Sequence, residues 1–217
     1  MDYMASAGFW FAAGYVTGSI PVGLIVGRLA GIDIRRYGTG NVGASNIFRN
    51  VGLVPAAAVG VTSFVQGLGP AWAAQVVTGS RLAVAAAAVG SVAGYAWSFL
   101  LIFRGGRAVA TATGALAAIS PAGLVPLLGM YALGGLARRP APGVLLGLIA
   151  YVAYMQLWAH SVELVLAASV IVAIVILKRF DGVRDDFREE AGTPAEILMG
   201  RLVFDRKPGQ RLVGRND

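Results

Sequence analysis

Apolar runs of bilayer-crossing length fill most of this chain, at roughly 4–27, 51–77, 82–103, 108–136, 143–159 and 161–177. About twenty helical residues cross a bilayer core, so runs of this length specify an all-α, polytopic integral membrane protein. The composition agrees, with 57% hydrophobic and only 13% charged residues, where soluble domains carry about 25% charge. One transmembrane domain over 1–178 and a basic, charged tail over 179–217 account for the whole sequence. There are no cysteines, which excludes disulfides and cysteine-ligated zinc or iron–sulfur sites. The net charge of +7 does not indicate a nucleic-acid partner. The charges sit between apolar runs and after residue 177, as at a cytoplasmic membrane surface. Arg28 is the first basic residue, so the first run lacks the basic leader of a signal peptide and reads as a retained span.

The order of spans follows from charge. The run 108–136 is long for one helix and carries Pro121, Pro126 and several glycines, which can divide a membrane helix into two short segments when protein covers the freed backbone. With the N-terminus outside and 108–136 crossing twice, the chain makes seven crossings. The cytoplasmic side then receives every basic residue except Arg81. Six crossings would send Arg138, Arg139 and the basic tail outside, against the positive-inside rule. Seven crossings are therefore expected, with both halves of 108–136 short, tilted or shielded by neighbours.

This topology puts two polar loops on one face. Residues 31–50, GIDIRRYGTGNVGASNIFRN, combine Gly38, Gly40 and Gly43 with Thr39, Asn41, Ser45 and Asn46, and with Arg35, Arg36 and Arg49. Residues 103–114, FRGGRAVATATG, set Gly105 and Gly106 between Arg104 and Arg107, followed by Thr111 and Thr113. Glycines let backbone N–H groups crowd a ligand, and arginines offer forked donors to phosphate oxygens. A helix starting after Gly105-Gly106 adds unpaired N–H groups and a positive dipole end. Together the loops predict a phosphate site. Gly38 to Gly43 fits G-x-G-x-x-G literally, but membrane spans flank it and no Asp or Glu occurs between Asp33 and Glu163. The dinucleotide-binding reading therefore fails, and no Walker A sequence is present.

Side chains for strong acid–base work are scarce. The single histidine, His160, lies in a turn assigned to the outer side and reads as an end-of-helix polar residue. Asp185, Asp186, Glu189 and Glu190 belong to the charged tail, and the methionines show no metal-ligand spacing. No metal or cofactor is expected. An enzyme built this way works by orienting reactive substrates and stabilising charge.

At these residues the chain resembles the bacterial acyl-phosphate:glycerol-3-phosphate acyltransferases, the PlsY family. GSIPVGLIVGR (18–28) with 31–52 is similar to that family's first signature, with Thr39 for its serine and Ser45 for its threonine. FRGGRAVATATG is similar to the second, with Arg104 and Arg107 for lysines and Ala108 for a glycine. The resemblance implies a multi-pass enzyme of the bacterial inner membrane, with the C-terminus and the active-site loops cytoplasmic. It would move an acyl group from acyl phosphate to glycerol 3-phosphate to give lysophosphatidic acid for phospholipid synthesis. Both substrates carry phosphate, the membrane lipids are its surroundings, and substrate phosphate assists proton transfer. It places Thr39, Gly40, Asn41, Gly43, Ser45 and Asn46 at the acyl-phosphate head group. Arg49 and Arg107 hold glycerol phosphate, and Arg35, Gly38, Arg104, Gly105, Gly106, Thr111 and Arg179 are further phosphate-binding positions.

The chain also departs from the family pattern. Gly-His-x-x-Pro reads Gly94-Tyr95-Ala96-Trp97-Ser98 here, and an aspartate and lysine of the second span become Ser63 and Gln66. A serine-containing stretch becomes Arg138-Arg139-Pro140-Ala141-Pro142-Gly143, and the third signature's His and Asn give way to Lys178-Arg179-Phe180-Asp181. These changes gather on the expected glycerol phosphate side. The alternative reading is a catalytically altered or inactive homologue that binds acyl phosphate, lipid or a partner without this turnover. In the tail, Ile197, Leu198, Leu202, Val203 and Phe204 suit a short amphipathic helix on the membrane, partner docking or disorder.

Overall fold

A computed structural model describes residues 3–158, 161–181 and 193. His160 and the expected amphipathic segment of the tail lie outside the described residues, which are all helix, turn or loop. The helices are α1 (Tyr3–Gly18), α2 (Val22–Leu29), α3 (Ala44–Asn50), α4 (Leu53–Thr78), α5 (Arg81–Ala96), α6 (Val109–Ile119), α7 (Leu124–Leu136), α8 (Pro140–Trp158) and α9 (Val162–Leu177). Among the described residues, four stretches are long and apolar enough to cross a membrane: Ser6–Leu29 taken across its break, Leu53–Thr78, Arg81–Leu101 and Pro140–Trp158. The shorter apolar helices α6, α7 and α9 complete the set of about seven passes.

The first pass breaks at Ser19-Ile20-Pro21 because proline removes an N–H and clashes with the preceding turn. The carbonyls this frees inside the membrane are met from neighbouring helices. Gln66 of α4 donates from Nε2 to the carbonyls of Thr17 (2.9 Å) and Ile20 (3.0 Å). Ser98 donates to the Ser19 carbonyl at 2.6 Å. The expected division of 108–136 is present as well, with Pro121 in the turn between α6 and α7. Tyr151 of α8, fully buried, caps the end of α6 by donating to the Leu116 carbonyl at 2.7 Å. A neighbouring helix thus shields the break, as interrupted membrane helices require.

Alanine-rich α5 occupies the centre, with Ala83, Ala87, Ala88, Val92 and Ala96 buried, and packs on α1, α4, α6 and α9. Three helix pairs touch backbone to backbone. A Cβ at Gly14 of α1 would fall on the Ala87 carbonyl of α5, and one at Gly94 on the Tyr15 carbonyl. Gly67 and Gly114 bring α4 and α6 together in the same way, and Gly134 and Gly143 do so for α7 and α8. Lipid tails give no hydrophobic drive between helices, so this close van der Waals contact carries the association.

Candidate active site

Residues 31–50 fold around one amide. Asn46, only 1% exposed, donates from Nδ2 toward the carbonyls of Ile34 (3.3 Å), Tyr37 (3.0 Å) and Asn41 (2.9 Å). Its Oδ1 accepts from Thr39 N at 3.4 Å and from Asn50 Nδ2 at 3.1 Å. Gly38 and Gly40 turn the chain through left-handed backbone, at φ +55° and +70°, and a Cβ at Gly38 would collide with Asn46 Oδ1. Asn41 Oδ1 then accepts from Gly43 N at 3.2 Å, which leaves the amide NH2 as the donor end of that side chain. Asp33 caps the short 3-10 turn Ile34–Arg36 and grips Arg35 through Nε (2.9 Å) and Nη2 (2.6 Å). The Arg35 guanidinium holds the partly exposed Asp33 carboxyl well below the ordinary carboxylate range.

The second loop is fastened to the end of α5. Gly106 N donates to the Tyr95 carbonyl at 3.2 Å, and a Cβ at Gly105 would strike the carbonyls of Tyr95 and Ala96. Gly106 lies against the Tyr95 ring and Asn41 Oδ1, so the two loops meet there. Ala108 then enters α6 in left-handed backbone at φ +56°.

Two cavities flank this meeting point, and both are lined by Asn41 and Arg107. The first, of about 730 Å³, collects arginines from four separate segments: Arg49 of α3, Arg107, Arg138 and Arg139 of the α7–α8 turn, and Arg179 beyond α9. Among the described residues, no Asp, Glu or His lines it. Much of its remaining wall is apolar, including Phe64, Val109, Leu128 and Val144, with hydroxyls from Ser45, Ser63, Tyr95, Thr113 and Tyr131 among them. The second, about 980 Å³, is more open and polar, with Arg35, Arg36, Arg104 and Lys178 balanced in part by Asp33 and Asp181. The adjacent residues Lys178 and Arg179 are both buried yet line different cavities. Lys178 pairs with Asp181 and sits 5.7 Å from the Trp97 ring centroid, while Arg179 Nη2 donates to the Ala141 carbonyl at 3.1 Å.

Most expected site residues therefore converge. Asn41, Gly43, Ser45, Arg49, Arg107 and Arg179 line the first cavity. Arg35, Thr39, Gly40, Arg104, Gly105 and Gly106 line the second. Gly38, Asn46 and Thr111 line neither. The first two frame the loop, and Thr111 is buried where α6 meets Gly67 of α4. Thr113, noted with the second loop, lines the first cavity, whereas sequence reasoning did not assign site roles to Ser63, Tyr95, Tyr131, Arg138 or Arg139, which line it too. Lone hydroxyls within apolar spans were the available signal for three of them. Among the described residues, no group of three or more His, Asp or Glu stands where it could hold a metal ion.

The positive charge in the first cavity is of the sign that anionic groups require, and its apolar wall is of the kind that a hydrocarbon chain packs on. Residues 8–184 match the family model described as glycerol-3-phosphate acyltransferase. A relative of that name from Trichlorobacter lovleyi is 34% identical over 89% of this chain and 99% of its own length. One from Geobacter sulfurreducens is 34% identical over 80% and 90%. The crystal structure of PlsY (YgiH), an integral membrane glycerol 3-phosphate acyltransferase, in its glycerol 3-phosphate form superposes with a TM-score of 0.74 at 28% identity, covering 91% of this chain and 94% of that one. Its lysophosphatidic acid form gives 0.71 at 26% identity over 89% and 99%. The chain, an all-α membrane protein with a phosphate-suited cavity between its helices, belongs to the glycerol-3-phosphate acyltransferase family.

Proposed function

We propose that this protein transfers an acyl group from acyl phosphate to the 1-hydroxyl of glycerol 3-phosphate, giving lysophosphatidic acid and inorganic phosphate at the cytoplasmic face of the bacterial inner membrane. The observation that carries this reading is the first cavity, where five arginines and an apolar wall stand beside Asn41. The arrangement suits two phosphate dianions and one acyl chain at once. The loop residues Thr39, Asn41 and Ser45 serve the donor's head group, and Arg49, Arg107 and Arg179 hold the acceptor's phosphate. Arg35, Arg104 and the backbone of Gly105 and Gly106 extend the positive field on the side of the second cavity.

In the reaction the acceptor oxygen attacks the acyl carbonyl carbon, a new C–O ester bond forms, and the C–O bond to phosphate breaks. The bond electrons leave with the phosphate, and the hydroxyl proton passes to a phosphate oxygen. Among the described residues no carboxylate or imidazole lines the cavity, and an acyl phosphate, as a mixed anhydride, needs no strong base. Arg107 and Asn41 stabilise the charge that grows on the carbonyl and leaving-group oxygens. A well-placed donor of that kind is worth about 3–4 kcal/mol of barrier.

The test is acyl transfer by detergent-purified protein supplied with acyl phosphate and glycerol 3-phosphate. Lysophosphatidic acid should form, and Asn41→Ala or Arg107→Ala should abolish it. Thermal stabilisation by these anions without product would point instead to a binding homologue.

A further inference from the structure

The arginine rim and the apolar wall of the first cavity provide for phosphate and for hydrocarbon. Neither provides for a neutral hydroxyl, and a phosphorylated polyol that reacts through one hydroxyl keeps another. We propose that Tyr95 reads that remaining hydroxyl of the acceptor and that Ser63 is its positioning residue, an inference that rests on the acyltransferase reading above.

Tyr95 comes from α5 and Ser63 from α4, and both line the cavity that holds Asn41 and Arg107. Tyr95 is held to the second loop through its ring and its backbone. Its edge lies against Gly106, whose Cβ would come within 2.7 Å of Cε1, and its own carbonyl accepts from Gly106 N at 3.2 Å. The phenol is therefore fixed to the loop that carries Arg107. Ser63 Oγ lies beside the Tyr95 hydroxyl without reaching hydrogen-bond geometry. It is buried, at 1% exposure for the residue, and has no partner among the described residues. A buried hydroxyl left unpaired is unfavourable until a ligand draws the group into a hydrogen bond.

The cavity has a second hydroxyl pair, Thr113 and Tyr131. Their oxygens lie 3.4 Å apart, and Thr113 also donates to the Val109 carbonyl at 2.9 Å. That pair is satisfied internally, whereas Ser63 is not. A hydroxyl both donates and accepts, so Tyr95 and Ser63 match an alcohol better than a phosphate, which the five arginines already suit.

The experiment compares glycerol 3-phosphate with 3-hydroxypropyl phosphate, which keeps the reacting hydroxyl and lacks the middle one. The wild-type protein should prefer glycerol 3-phosphate by at least about ten-fold in kcat/KM, because a site that pairs with a hydroxyl rejects the analogue lacking it. Tyr95→Phe should bring that ratio close to one by slowing glycerol 3-phosphate while the rate on the analogue holds. Ser63→Ala should lower the ratio in the same direction by less. An unchanged ratio in Tyr95→Phe, or an equal loss on both acceptors, overturns the inference and leaves the acyltransferase reading standing. Absence of product from wild-type protein with either acceptor overturns both.

Discussion

Asn46 Nδ2 donates to the Asn41 carbonyl oxygen at 2.9 Å, and this bond separates the frame of the first loop from its chemistry. Asn46 is buried and lines neither cavity, while Asn41 lines both. Asn46→Ala leaves several buried polar groups unpaired and should destabilise the protein by about 2–4 kcal/mol. Asn46→Asp should be worse, since it turns an acceptor toward three carbonyls. Asn41→Ala should leave the melting temperature in detergent nearly unchanged and remove turnover. Thermal unfolding run beside the acyl-transfer assay checks the contrast.

Gln66 holds the broken first pass by donating to Thr17 and Ile20. Gln66→Leu keeps the volume and removes a hydrogen bond from each of two carbonyls, for an expected loss of about 2 kcal/mol. Faster amide hydrogen exchange in 17–24 than in the rest of α1 would locate the damage. Uniform exchange across α1 would count against this role.

Ala108 adopts φ +56° at the position where the resemblance to the second signature implies a glycine. A left-handed non-glycine residue is strained by roughly 1–2 kcal/mol, partly offset by the greater unfolded-state freedom of glycine. Ala108→Gly should therefore raise stability by a few tenths to about 1 kcal/mol and leave the acyl-transfer rate intact. A lowered melting temperature would show that the backbone there is not strained.

Arg179 reaches the first cavity from beyond α9, at the position where the family pattern has an imidazole. Arg179→Ala should raise the KM for glycerol 3-phosphate about ten- to hundred-fold, the range for a lost charged hydrogen bond. Arg179→Lys should recover only part of it, because the ammonium lacks the planar fork. Equal KM values across the series would remove Arg179 from acceptor binding.

The apolar passes and the two polar glycine-rich loops were legible in the sequence because length, charge placement and glycine spacing are local signals. Pro121 marked the division of 108–136 in the same way. The role of Asn46 was not legible. An amide in a glycine-rich loop suggests a ligand equally well when its partners are the loop's own carbonyls. Arg138 and Arg139 could be counted for sidedness, but their convergence with Arg49 and Arg179 depends on how α7, α8 and α9 pack. Tyr95 and Ser63 read as departures from a pattern, and only the α4–α5 contact shows that they stand together.

The glycine contacts between α1 and α5, α4 and α6, and α7 and α8 have an evolutionary consequence. Where backbone meets backbone, the close approach of the helices is set by glycines that face the partner helix. Positions facing the cavities can then exchange charge for hydroxyl or imidazole for guanidinium without unseating a helix. Such a scaffold leaves its binding surface open to drift, and new acceptors become reachable through a handful of substitutions.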